Sequence, residues 1–90
     1  MTILTVIVPV YNETNTIVKI IDQILKIKIK KQIIVVDDCS TDGSKEKIIK
    51  NKRKINKIIF HKKNLGKGAA IRTAQKHIKG KLVIIQDADL

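Results

Sequence analysis

The chain has 90 residues with 19 Lys and Arg against 8 Asp and Glu, a net charge of +11, and 43% hydrophobic residues. That length allows one domain at most, with a thin aliphatic core, since Tyr11 and Phe60 are the only aromatics. Disorder is excluded by the aliphatic content, and a base-reading or base-stacking nucleic-acid module is disfavoured: 17 of the 19 basic residues are lysine, so arginine and aromatic side chains are nearly absent. A lone Cys39 gives no disulfide framework and no stretch reaches the roughly 18 apolar residues of a membrane span, so a soluble, cytoplasmic chain is expected.

In chain order, TILTVIVPV (Thr2 to Val10) reads as a short buried strand closed by Pro9. The next segment, YNETNTIVKIIDQILKIKIK, places Ile17, Ile20, Ile21, Ile24 and Leu25 on one helical face, with candidate N-caps in the cluster Asn12 to Asn15. QIIVVDD is a second strand, CSTDGSKEKIIKNKRK a turn and short basic helix, and INKIIFH a third strand. NLGKGAAIRTAQKHIKG is a loop and helix burying Ala70, Ile71, Ala74 and Ile78, with Gly80 as a left-handed C-cap, and KLVIIQD is a fourth strand. Uniformly apolar strands alternating with helices predict a parallel sheet covered on both faces, in a three-layer α/β/α domain with right-handed crossovers. In such a sheet the loops leaving the strands share one rim, where ligands bind.

Six of the eight acids, Glu13, Asp37, Asp38, Asp42, Asp87 and Asp89, fall at or just after the C-terminal end of a strand. Solvated charge should scatter, and this does not. Asp87 and Asp89 are two residues apart and, in extended geometry, leave on one face; two such carboxylates suit Mg2+ or Mn2+, which takes one or two protein carboxylates beside water and phosphate oxygens. Asp37 and Asp38 offer two tasks, capping the following turn and accepting a hydrogen bond from a nucleotide base or ribose, and one acid is expected at each. NLGKGAA opens a helix with Gly66, Lys67 and Gly68, which suits a phosphate oxygen or simply makes a tight turn. HKKNLGKGA fails the phosphate-loop pattern, with His61 at the first glycine and Gly68 at the hydroxyl, and GKGAAI fails the dinucleotide pattern at Ile71. His61 and His77 lack a partner at metal-ligand spacing and read as structural or solvated.

Together VIVPVYNE, IIVVDDCSTDGS, NLGKGAAIRTA and IIQDADL resemble, in this order, the nucleotide-sugar-binding half of family 2 glycosyltransferases with the GT-A fold, especially dolichyl- or polyprenyl-phosphate sugar transferases. The resemblance covers essentially the whole chain. It implies a Rossmann-like sheet in the order 3-2-1-4, with Pro9, Tyr11 and Glu13 lining a nucleotide pocket, Asp38 at the base, and Gly66 and Lys67 near the donor phosphates or sugar. It further implies that Asp87 and Asp89 form the catalytic Asp-x-Asp motif, Asp89 as principal metal ligand and Asp87 nearer the ribose or sugar. The implied partners are a nucleotide-diphosphate sugar and a lipid-phosphate or glycan acceptor, with no nucleic acid, and the full-length protein is expected at the cytoplasmic membrane surface. The acceptor half and any general base of the family have no counterpart here, so residues 1–90 read as the N-terminal part of one such domain. A receiver-like signalling domain, the rival α/β reading, needs acids after the first and third strands, where PVYNE and FHKKN stand.

Overall fold

The computed structural model describes residues 2–89. Along the chain it forms β1 (Leu4–Val10), α1 (Ile17–Leu25), β2 (Lys31–Asp37), α2 (Ser44–Lys50), a 3-10 turn (Lys52–Lys54), β3 (Lys57–Phe60), α3 (Lys67–Gln75) and β4 (Leu82–Ile85). All pairings are parallel and the order is β3-β2-β1-β4, as the resemblance implies.

Alternation along the strands separates two cores. Leu4, Val6, Val8 and Val10 of β1 join Ile33 and Val35 of β2 on the face covered by α1 and by Ile48 of α2. Ile7, Ile34 and Val36 face the other way, against Ala70 and Ala74 of α3. Small residues on α3 let its backbone approach the sheet. The isoleucine stripe of α1, Ile17, Ile20, Ile21 and Ile24, is buried as its spacing predicts, each side chain contributing roughly 1.5–3 kcal/mol relative to exposure.

Several expectations are corrected. Leu25 is exposed at the helix end, and Ile71 and Ile78 are only half-buried. The residue at the N-cap of α1 is Thr16, downstream of the polar cluster. Helix α3 stops at Gln75, so Gly80 caps nothing. A Cβ at Gly80 would lie 2.7 Å from the Thr5 backbone nitrogen, and close approach to β1 is what requires glycine there. That approach is fixed by a buried polar group: Thr5 Oγ1 donates to Gln32 Oε1 and accepts from the Gly80 N–H, while Gln32 also binds the Lys79 N–H and the His77 carbonyl. Finally, β4 is not covered on both faces, for Leu82, Val83, Ile84 and Ile85 remain 46–62% exposed. No helix among the described residues is long and apolar enough to cross a membrane.

Candidate functional site

The chain steps from β1 outward to β2 and β3, then returns to place β4 on the opposite side of β1. Loops after β1 and β4 therefore diverge, and a crevice opens between them at the strand ends. Pro9 helps to open it. The Ile7 carbonyl accepts the Gln86 N–H while the Val10 carbonyl accepts the Asp38 N–H, so odd positions of β1 face β4 and even ones face β2. Pairing with β4 ends at Ile7, and two residues on, Pro9 has no N–H to offer where no strand remains to take it.

The resulting cleft has a volume of about 280 Å³. Its walls are Pro9, Val10, Tyr11 and Glu13 from the β1 side, Asp38 just after β2, Lys67 and Ala70 from α3, and Asp87, Ala88 and Asp89 after β4. Seven of the eight site residues named from the sequence thus converge. Gly66 alone lies off the wall; its backbone turns at φ 96° and its N–H points to Asp38, not to open space.

The β1 and β2 loops are laced together. Asn12, at φ 53°, accepts the Thr41 N–H and donates its own N–H to Ser40 Oγ. Ser44 Oγ accepts the Glu13 N–H at 2.9 Å, and Asp42 accepts the Thr14 N–H and both donors of Ser44. Burial alone would raise the Asp42 pKa, but the Ser44 hydroxyl and the Thr14 and Ser44 amides outweigh it and hold the carboxyl below its usual value.

Asp37 and Asp38 divide the two tasks foreseen for them. Asp37, fully buried, accepts from Ser40 N and Oγ and so caps the turn. Asp38, 4% exposed at the cleft wall, receives the His61 ring at 2.8 Å and the Leu65 N–H at 2.9 Å on Oδ1, and the Gly66 N–H at 2.8 Å on Oδ2. Desolvation pushes its pKa up, yet the His61 hydrogen bond and the two amides together bring it below the ordinary value. His61 in turn meets Thr73 Oγ1 at 2.8 Å. His61 is buried and structural, as its isolation in the sequence suggested, but its tie to Asp38 had no local signal. No acid stands after β3, so the receiver arrangement is not built.

Strand β4 ends at Ile85, two residues before Asp87, and in the loop that follows Ala88 is buried between exposed Asp87 and Asp89. Thr16 Oγ1 donates to the Ala88 carbonyl at 2.5 Å, tying this acidic loop to the start of α1. Lys67 forms an exposed ion pair with Asp87. Among the described residues Asp89 makes no ion pair, and no group of three potential metal ligands is assembled. Two exposed carboxylates of a single loop are nevertheless a hard oxygen donor set of the size that Mg2+ or Mn2+ uses when waters and phosphates complete its shell.

A doubly wound parallel α/β domain with a mixed acidic and basic cleft at its switch point is what fold and site define. Comparison with known proteins narrows this. Residues 5–90 match the family described as Glycosyl transferase family 2, and the chain belongs to that family. It is 37% identical over 98 aligned positions to dolichyl-phosphate beta-glucosyltransferase of Saccharomyces cerevisiae, covering 96% of this chain and 29% of that protein. Among solved structures it is similar to S. aureus TarS in complex with UDP-GlcNAc, with TM-score 0.87 and 31% identity over 99% of this chain and 27% of that one. It is also similar to the mannosyltransferase PcManGT of Pyrobaculum calidifontis in complex with GDP-Man and Mn2+, with TM-score 0.83 and 33% identity over 96% of this chain and 27% of that one. The chain therefore spans under a third of the length of these relatives.

Proposed function

We propose that this chain is the donor-binding part of a glycosyltransferase that moves a sugar from a nucleotide diphosphate to an acceptor, a polyprenyl or dolichyl phosphate, with a divalent metal. The observation that carries the reading is the convergence of Tyr11, Glu13, Asp38, Lys67, Asp87 and Asp89 on one cleft at the β1–β4 crevice. Donor-bound relatives and the dolichyl-phosphate enzyme support it.

In this reading the base lies against Asp38, with Pro9, Tyr11 and Glu13 forming the wall beneath base and ribose. Asp89 would hold the metal with help from Asp87, and Mg2+ or Mn2+ there would supply positive charge to the departing diphosphate. Lys67 adds a second cation to that end of the cleft. Lys67 is paired with Asp87, so its ammonium stands at the same end of the cleft as the carboxylates that would hold the metal. The bond that breaks joins the anomeric carbon to the diphosphate oxygen; the new one joins that carbon to an acceptor phosphate oxygen, which as an anion needs little deprotonation. A lipid-phosphate acceptor would make the full-length protein peripheral on the cytoplasmic face of a membrane.

Isothermal titration with UDP, with and without Mn2+, tests this. Tighter binding by about tenfold with Mn2+, lost in Asp89→Asn, is expected from one charge-assisted contact set. Failure of the folded chain to bind UDP or GDP under either condition overturns the reading.

A further inference from the structure

The buried pair His61 and Thr73 plays no part in the function proposed above, and it bears on Asp38. Resting on the reading of the cleft as a nucleotide site, we propose that His61 is a positioning residue that sets base preference, leaving Asp38 able to accept one N–H and so favouring uracil over guanine.

The argument counts acceptor sites. An ionised carboxylate offers roughly four lone-pair positions. Oδ1 of Asp38 already takes the His61 Nδ1–H and the Leu65 N–H, and Oδ2 takes the Gly66 N–H. One position remains, on Oδ2. Uracil presents a single ring N–H, which one position satisfies. Guanine presents a ring N–H beside an exocyclic N–H, and both are satisfied only by two open positions on neighbouring oxygens. A buried donor left unpaired is the costly outcome, which is why hydrogen-bonding sites discriminate strongly.

Of the three groups that fill Asp38, only His61 is a side chain. The two amides belong to the loop that turns at Gly66, and they stay when His61 changes. Asp38 accepts only, so Nδ1 carries the proton and the ring is oriented with Nε2 toward Thr73. The threonine hydroxyl can both donate and accept, so it is a fitting partner for Nε2. His61 and Asp38 are both nearly excluded from solvent, with side chains 8% and 5% exposed, so water does not substitute for the missing contact.

The test is a comparison of UDP and GDP by isothermal titration in Mn2+, on the full chain and three variants whose folding is checked by circular dichroism. The unaltered chain is expected to prefer UDP by about tenfold or more, the worth of one unmade hydrogen bond at a buried group. His61→Ala is expected to narrow that ratio to about threefold or less, by opening Oδ1 to the second N–H of guanine. His61→Asn keeps an amide N–H for Asp38 and is expected to retain the preference. Thr73→Val, close in shape and able to carry the test should His61→Ala not fold, is expected to narrow it partially. Equal affinity of the unaltered chain for both nucleotides overturns the assignment of His61 while leaving the nucleotide site standing. An unchanged ratio in folded His61→Ala, or in Thr73→Val where the alanine variant does not fold, also overturns it. Binding of neither nucleotide removes the site and this inference with it.

Discussion

The two walls of the cleft are built differently. On the β1–β2 side the strands are buried on both faces and their loops are joined by Ser40, Asp42, Ser44 and Asn12, so backbone donors that would otherwise lie open are met by side chains of the neighbouring loop. On the β4 side the strand is exposed and the acidic loop hangs on a Thr16 hydroxyl and the Lys67–Asp87 pair. The end of the cleft that faces Asp38 is thus held by many hydrogen bonds, and the end that holds Asp87 and Asp89 by few among the described residues. A recognition surface profits from fixed donors and acceptors.

Truncating equivalent side chains on the two sides breaks the comparison most sharply. Ile34→Ala is expected to lower the unfolding free energy by about 3–4 kcal/mol, through lost burial and a cavity between two strands and α3. Ile84→Ala, on the exposed strand, is expected to cost less than about 0.5 kcal/mol. Urea denaturation of both variants measures the contrast, and similar losses would erase it.

Acid should act on the more heavily bonded side. Asp38 and Asp42 both have folded pKa values below the ordinary aspartate value of 3.8, so each adds stability that is fully present above 3.8 and lost as pH falls through the depressed folded value. Between those two values the unfolded chain binds more protons, and stability rises with pH. Thermal melts from pH 7 downward are expected to hold level and then drop below about 4, with a shallower drop in Asp42→Asn. A melt temperature that climbs on acidification would contradict the assignment.

The smallest effect concerns the less bonded wall. Thr16→Val removes the hydroxyl that holds the Ala88 carbonyl and is expected to cost about 1 kcal/mol or less in stability. It should weaken the Mn2+ enhancement about threefold and UDP binding in EDTA by less, because the hydroxyl's short bond is to the acidic loop and its longer one, at 3.3 Å, is to Glu13 Oε2. Equal loss with and without Mn2+ would show that the loop also sets the base end.

How far the sequence reveals this depends on the range of each interaction. The α1 stripe and the apolar strands follow from spacing within a few residues, and the acids at strand ends mark the rim because strand direction is shared. The sheet order came through the resemblance, since periodicity says which residues are buried and not which strands are neighbours. His61 to Asp38 spans 23 positions and Gly80 to Thr5 spans 75, and no local pattern encodes either. Gly80 misled because a glycine after a helix usually ends it, whereas here the constraint comes from another strand. The exposure of β4 was equally invisible, its apolar run being the same for a covered strand and an uncovered one.

Asp37 and Asp38 stand side by side in the chain and do opposite work because neighbouring residues leave a strand on opposite faces. Their division of labour is a matter of parity. A single residue inserted or removed between Lys31 and Asp37 would exchange them, turning the cap toward α3 and the clamp toward α2, and neither Ser40 nor His61 would find its partner. Deletions within β2 should therefore be far less forgiving than substitutions there, and the length of that strand, as much as its chemistry, is part of the proposed site.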